Sequence, residues 1–296
     1  MRFLRLGPAG SERPALLLPG ADPADPAAGA RAYDLSSVTP DIDGAFVERA
    51  TDPAQRAAWE RAARSGELPE LPTAGVRTGA PIAAPGKVVC IGLNYRDHAA
   101  ETGAAIPTEP IVFLKTPDTV VGPDDEVLVP RGSEKTDYEV ELAVVIGRTA
   151  RYLADEDAAA EVIAGYTIAN DVSERAWQME RGGTWDKGKN CETFCPLGPW
   201  LVTADEVADP QALGLRLSVN GEVRQDGTTA DMIFGVRHLV RYLSGFMVLR
   251  PGDVIVTGTP AGVAMGSPDI PFLAPGDVME LSIDGLGSQR QTLGKA

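Results

Sequence analysis

"DYEVELAVVIG", residues 137–147, decides how this chain is read. Residues 142–146 are wholly apolar, as expected of a β-strand covered on both faces rather than one with a wet side. Side chains alternate along a strand, so Glu139 and Glu141 project to one face and Val140 and Leu142 to the other. An ionised carboxylate in such a place is costly unless a cation or strong donors compensate it. A second apolar run, "AGYTIAND" (residues 164–171), ends on Asp171. Three acidic groups, two from one strand and one from the end of another, can converge on a hard cation. Oxygen-only ligation with positions left for water and substrate suits Mg²⁺ or Mn²⁺ rather than Zn²⁺. The competing reading is a solvated strand face. The apolar continuation and the matching Asp171 weigh against it.

Outward from this stretch, short strands are predicted at 87–92, 110–115, 138–146, 163–169, 199–203, 215–219, 253–257 and 278–283. Asn220-Gly221 is a hairpin cue, and "PGDVIVTG" and "PGDVMEL" share a Pro-Gly-Asp entry into a strand. Helices are predicted at 155–162, 173–181 and 235–244. The pattern is a β-rich α+β fold without the strict βαβ alternation of a Rossmann fold. Before it, residues 1–50 alternate strand-like pieces with Pro/Gly/Asp turns, and "AQRAAWERAARSG" (54–66) reads as a helix stopped by Gly66. The Pro- and Gly-rich residues 67–87 look like a connection. This divides the chain into a small N-terminal α/β domain, 1–75, and a main domain, 76–296.

Acidic residues number 42 against 27 Lys plus Arg, a net charge of −15. That balance repels nucleic acid and anionic membranes and argues against both as partners. Three cysteines, Cys90, Cys191 and Cys195, form no CxxC pair, and no apolar run reaches signal-peptide or membrane-spanning length. A soluble protein of the reducing cytoplasm is expected.

In "LNYRDHAAETG" (93–103), His98 and Glu101 face each other if the segment is helical. A carboxylate beside imidazole fixes its tautomer and raises its basicity, as a general base for water requires. An exposed surface pair would show the same spacing. His238, on an amphipathic helix, reads as structural. Arg175 and Gln178 share a helical face beyond Asp171, and Lys189 lies in the Gly-rich "WDKGKNCETF"; each could hold a substrate carboxylate or an oxyanion, or be a surface charge. "TGTPAGV" (257–263) offers the Thr259 hydroxyl but no lysine, and is not a P-loop.

Together these stretches resemble the fumarylacetoacetate hydrolase family. "GLNYRDHAAE", "PIVFLKTP", "DYEVELAVVIG", "YTIANDVSER", "WDKGKNCETFCPLGPWLVT", "RPGDVIVTGTPAGV" and "PGDVMELSIDGLG" occur in family order over residues 85–290. The resemblance implies a mixed β-roll catalytic domain, usually a homodimer. It implies metal ligands at Glu139, Glu141 and Asp171, a water-activating pair at His98 and Glu101, a catalytic lysine at Lys189, and substrate contacts at Arg175, Gln178 and Thr259. Two departures stand out: Cys191-Glu192 where relatives often have Phe-Asp, and Arg175-Ala176 where they often have Arg-Asp. The segment from Trp185 is most similar to members acting on 2,4-dioxo sugar acids. The implied reaction is metal-dependent hydrolysis of the C3–C4 bond of a small anionic 2,4-dioxo acid, releasing pyruvate. Decarboxylation of an oxaloacetate-type acid and isomerisation of an unsaturated 2-oxo acid are the alternatives on the same metal. A metal-dependent nuclease is opposed by the charge. A non-catalytic binding protein is opposed by the presence of His98, Glu101 and Lys189. Residues 98–110, with Ile106 as their single large aliphatic side chain, are expected to form a mobile lid.

Overall fold

A computed structural model describes residues 1–20 and 29–296. The Pro- and Asp-rich residues 21–28, read above as part of a turn segment, lie outside the described residues. The strand Val140–Ile146 is buried at every position, as its apolar run requires. It pairs antiparallel with Ile163–Asn170 on one side and with Val254–Val256 on the other. Val254–Val256 runs parallel to Val88–Gly92, which pairs with Ile111–Lys115. In the other direction Ile163–Asn170 pairs with Cys195–Thr203, and that strand with Arg2–Leu6. Arg13–Leu18, Arg31–Asp34 and Glu70–Leu71 complete this edge of a 12-stranded mixed sheet. A second sheet of five strands covers one of its faces, with Val127–Val129 and Gly287–Lys295 side by side at one edge. The chain is thus a β-rich mixed α/β protein with few helices.

Alternation along the central strand assigns each face to a different core. Val140, Leu142, Val144 and Ile146 pack with Leu215, Leu217, Met279 and Leu281 of the five-stranded sheet. Ala143 and Val145 face the other way, toward Phe3, Phe46 and Trp59 under the helices Gly44–Ala50 and Pro53–Ser65. Glu139 and Glu141 share the parity of Ala143 and Val145, but stand where the helical cover ends and a cavity begins. The residues before position 75 therefore build one wall of the core that adjoins the site. Their first strand extends the main sheet through Cys195–Thr203, so the sheet runs unbroken across the expected boundary.

Local signals were realised where their chemistry is local. Asn220-Gly221 joins Gly214–Val219 to Glu222–Thr228 in a two-residue hairpin. The Pro-Gly-Asp echo is physical: Asp253 Oδ2 accepts the Arg250 N–H and Asp277 Oδ2 accepts the Ala274 N–H, each at 2.7 Å. Two helices are shorter than expected, Glu156–Ala160 and Arg175–Met179. The second loses its first residues because Ser173–Glu174 pairs as a strand with Thr136–Asp137. The segment around Lys189, expected as a loop, contains a short helix, Asp186–Lys189. Gly188 allows it: a Cβ there would lie 2.4 Å from Glu174 O, so only glycine lets this helix press against Arg175–Met179. Among the described residues no helix is long and apolar enough to cross a membrane.

Candidate active site

The register of the central strands sets the floor of the site. Val140 pairs with Asn170, which brings Glu139 opposite Asp171, whose N–H donates to Glu139 O at 3.0 Å. Carboxylate oxygens of Glu139, Glu141 and Asp171 lie within 4.8 Å of one another, and all three residues are buried. The sequence placed these three together, and the structure does the same.

Three cations press on this cluster. Lys189 Nζ donates to Glu139 Oε2 at 2.6 Å and to Asp171 Oδ2 at 2.7 Å. Arg175 donates from Nη2 to Glu139 Oε1 at 2.7 Å and from Nε to Asp137 Oδ2 at 2.8 Å. Lys115 Nζ, fully buried, donates to Asp171 Oδ1 at 2.5 Å and to Val172 O at 2.9 Å. Burial pushes the Glu139 carboxyl up, but Lys189 and Arg175 outweigh it and hold the group down at about 2. Burial likewise works against the Lys189 ammonium, yet Asp171 and Glu139 more than offset it, so its pKa is raised.

Glu141 is the exception. Its Oε2 accepts the Gly258 N–H, but it has no cationic partner among the described residues. Burial first, then Asp171 and Glu139, push its carboxyl well above the ordinary range. Four carboxyl groups (Asp137, Glu139, Glu141, Asp171) thus face three basic side chains, and Glu141 is the one left without a counter-charge. A divalent cation among Glu139, Glu141 and Asp171 would remove that deficit and leave a net positive floor for an anionic ligand. The residues present fit a hard divalent ion on these grounds.

His98 and Glu101 lie on the short helix Arg96–Glu101, both lining the same cavity as the floor. His98 Nδ1 and Glu101 Oε2 are 3.3 Å apart, while Glu101 Oε1 accepts the Gly262 N–H at 2.9 Å. The carboxylate is held at one oxygen and orients the imidazole with the other. Nε2 makes no protein hydrogen bond among the described residues and is left to the cavity. The lid expectation divides here. His98 and Ala99 are buried, and Glu101 ties the helix to Gly262; only residues 103–109 are mostly exposed, with Ile106 at 57%. Composition registered the lack of apolar anchors but not this long-range hydrogen bond.

The cavity measures about 400 Å³. Gln178 lines it, with Oε1 accepting from Arg175 Nη1 at 3.0 Å and its amide nitrogen without a partner among the described residues. Thr259 also lines it, but its hydroxyl is engaged, donating to Val140 O at 3.0 Å and accepting from Gln225 Nε2 at 2.7 Å. His238 stands apart, stacked between Phe234 and Tyr242 on Val236–Ser244.

Two residues escaped the sequence reading. Lys115 ends a strand on the same face as buried Phe113, and a lysine continuing an inward face is a signal that alternation carries. Asp137 shares the parity of Glu139 and Glu141. It positions Arg175 and also accepts the N–H groups of Ala264 at 2.9 Å and Met265 at 3.1 Å, fixing a cavity wall.

Known proteins resemble this chain over most or all of its length. Residues 87–294 match the model of the fumarylacetoacetate (FAA) hydrolase C-terminal domain. A Burkholderia ambifaria protein named "Putative hydrolase" is 49% identical over 300 residues, covering 99% of this chain and 98% of its own. The solved fumarylacetoacetate hydrolase of Exiguobacterium antarcticum superposes with a TM-score of 0.82 at 34% identity over the full length of both chains. A 2-hydroxyhepta-2,4-diene-1,7-dioate isomerase from Mycobacterium marinum does so with a TM-score of 0.77 at 32% identity, covering all of this chain and 98% of that one.

Proposed function

This chain belongs to the fumarylacetoacetate hydrolase family, and from that premise we propose that it is a hydrolase dependent on Mg²⁺ or Mn²⁺ that cuts the C3–C4 bond of a small 2,4-dioxo acid to release pyruvate. The observation that carries the reading is the His98–Glu101 pair held over the acidic floor within one cavity. Decarboxylation and isomerisation need the floor but no activated water. Hydrolysis needs both.

Glu139, Glu141 and Asp171 would hold the ion, which when bound supplies Lewis-acid polarisation of the 2-oxo acid and a sink for developing negative charge. The Gln178 amide and the positive edge of Lys189 and Arg175 orient the substrate carboxylate. His98 Nε2 takes a proton from water as its oxygen attacks C4, and Glu101 stabilises the resulting imidazolium. Collapse breaks C3–C4, the bonding pair passes into the enolate of pyruvate, and the Lys189 ammonium stabilises that charge. Proton delivery to C3 then yields pyruvate, and the acyl group leaves as a carboxylic acid.

The test is a series of acylpyruvates assayed for pyruvate with and without added Mg²⁺ or Mn²⁺. Metal-dependent pyruvate release from at least one supports the reading. Loss of the substrate chromophore with the carbon skeleton intact would favour the isomerase alternative, for which the M. marinum relative gives precedent.

A further inference from the structure

The cavity has two chemically different parts, and the second defines what lies beyond C4 of the substrate. Leu93, Phe113, Met179, Trp185 and Met265 supply the apolar part of its lining, with Lys189 Nζ 5.1 Å from the centre of the Phe113 ring where the two parts meet. Phe113 and Trp185 meet edge to face with centroids 5.3 Å apart. The Trp185 ring lies directly on the backbone of Gly92, where a Cβ would fall 2.2 Å from it, so the indole is fixed as a wall rather than left to swing.

Cations are confined to the floor. Among the described residues, Arg175 and Lys189 are the only basic residues besides His98 that line the cavity, and both are committed to Asp137, Glu139 and Asp171. Nearby cations are engaged elsewhere: Arg96 with Asp231 O and Met232 O, Arg181 over the Trp177 ring, and Lys187 with Arg181 O. A carboxylate set among these apolar side chains would therefore find no uncommitted lysine or arginine in the described lining of the cavity. Burying such a group unpaired is strongly unfavourable, whereas an apolar group gains from the same surface.

We propose that the acyl group beyond C4 is uncharged and apolar, branched aliphatic or aromatic, rather than one ending in a carboxylate. The proposal takes its atom assignment from the hydrolytic reading, but the binding preference itself is measurable without turnover. Two 2-oxo acids lacking the 4-oxo group, and so resistant to hydrolysis, share the head group and differ at the tail: 2-oxo-4-phenylbutanoate and 2-oxoadipate. In calorimetric titrations of the wild-type protein with Mn²⁺, the phenyl-bearing acid should bind more tightly by on the order of tenfold or more. Equal affinities, a preference for 2-oxoadipate, or no binding of the phenyl-bearing acid would each overturn the proposal. Trp185→Ala should remove most of the advantage of the phenyl-bearing acid over 2-oxoadipate; an undiminished advantage would overturn the assignment to this wall. Failure of every acylpyruvate to release pyruvate would instead overturn the hydrolytic reading and leave the preference standing.

Discussion

The floor of the cavity and the rim that carries His98 are held by opposite means. Glu139, Glu141 and Asp171 stand at the ends of two main-sheet strands that are buried at every position, and six charged groups lock one another there. His98 rides on a six-residue helix tied down by the Glu101–Gly262 hydrogen bond and by burial of Ala99, and the chain beyond it is exposed. On the proposed reading the floor is preorganised for a cation that must sit in one place. On the same reading the rim positions a base beside an exposed segment that could adjust as substrate enters.

The largest effect that would break this contrast lies within the floor itself. Glu141→Gln should abolish Mn²⁺ binding in calorimetry, and with it pyruvate release, because it removes the ligand bearing the uncompensated charge. Undiminished Mn²⁺ affinity would take Glu141 out of the metal site. The same substitution keeps an acceptor for Gly258 and puts a neutral amide where burial already disfavours the charged carboxylate, so urea unfolding should show a loss below about 1 kcal/mol. Glu139→Ala should behave differently. It strips Lys189 and Arg175 of a shared partner, and breaking a buried ion pair from one side costs about 3–5 kcal/mol. Equal stability losses in the two variants would mean the charge distribution described here is wrong.

At the rim, His98→Ala should lower hydrolysis on the order of 10²-fold or more, as for removal of a general base, with Mn²⁺ affinity unchanged. Full hydrolase activity would exclude His98 from the chemistry. The smallest effect is dynamic. Amides of residues 103–109 should exchange quickly in the free protein, those of 140–146 slowly, and Mn²⁺ with oxalate should protect the former. Protection of 103–109 equal in both states would leave the exposed segment without a part in closure.

What could be read from the sequence follows the range of the interactions. The clustering of Glu139, Glu141 and Asp171 was legible because strand alternation and the end of an apolar run are local patterns, and pairing of two buried strands then leaves little choice of register. Asp137 and Lys115 carry the same signal more weakly, because each lies at a strand end next to turn residues. The anchoring of Glu101 by Gly262, 161 residues away, has no local trace, so a composition poor in apolar side chains suggested a lid that began too early. Gly188 was read as loop chemistry, whereas its role is the close approach of two short helices, which only the fold reveals.

The most direct test of the central claim, that water activated at the rim attacks a substrate held on the floor, is turnover of an acylpyruvate in H₂¹⁸O with Mn²⁺ present. Hydrolysis at C3–C4 should yield pyruvate and an equimolar carboxylic acid carrying one ¹⁸O in its new carboxyl group. Metal-dependent consumption of the substrate with C3–C4 intact and no label in a released acid would contradict it.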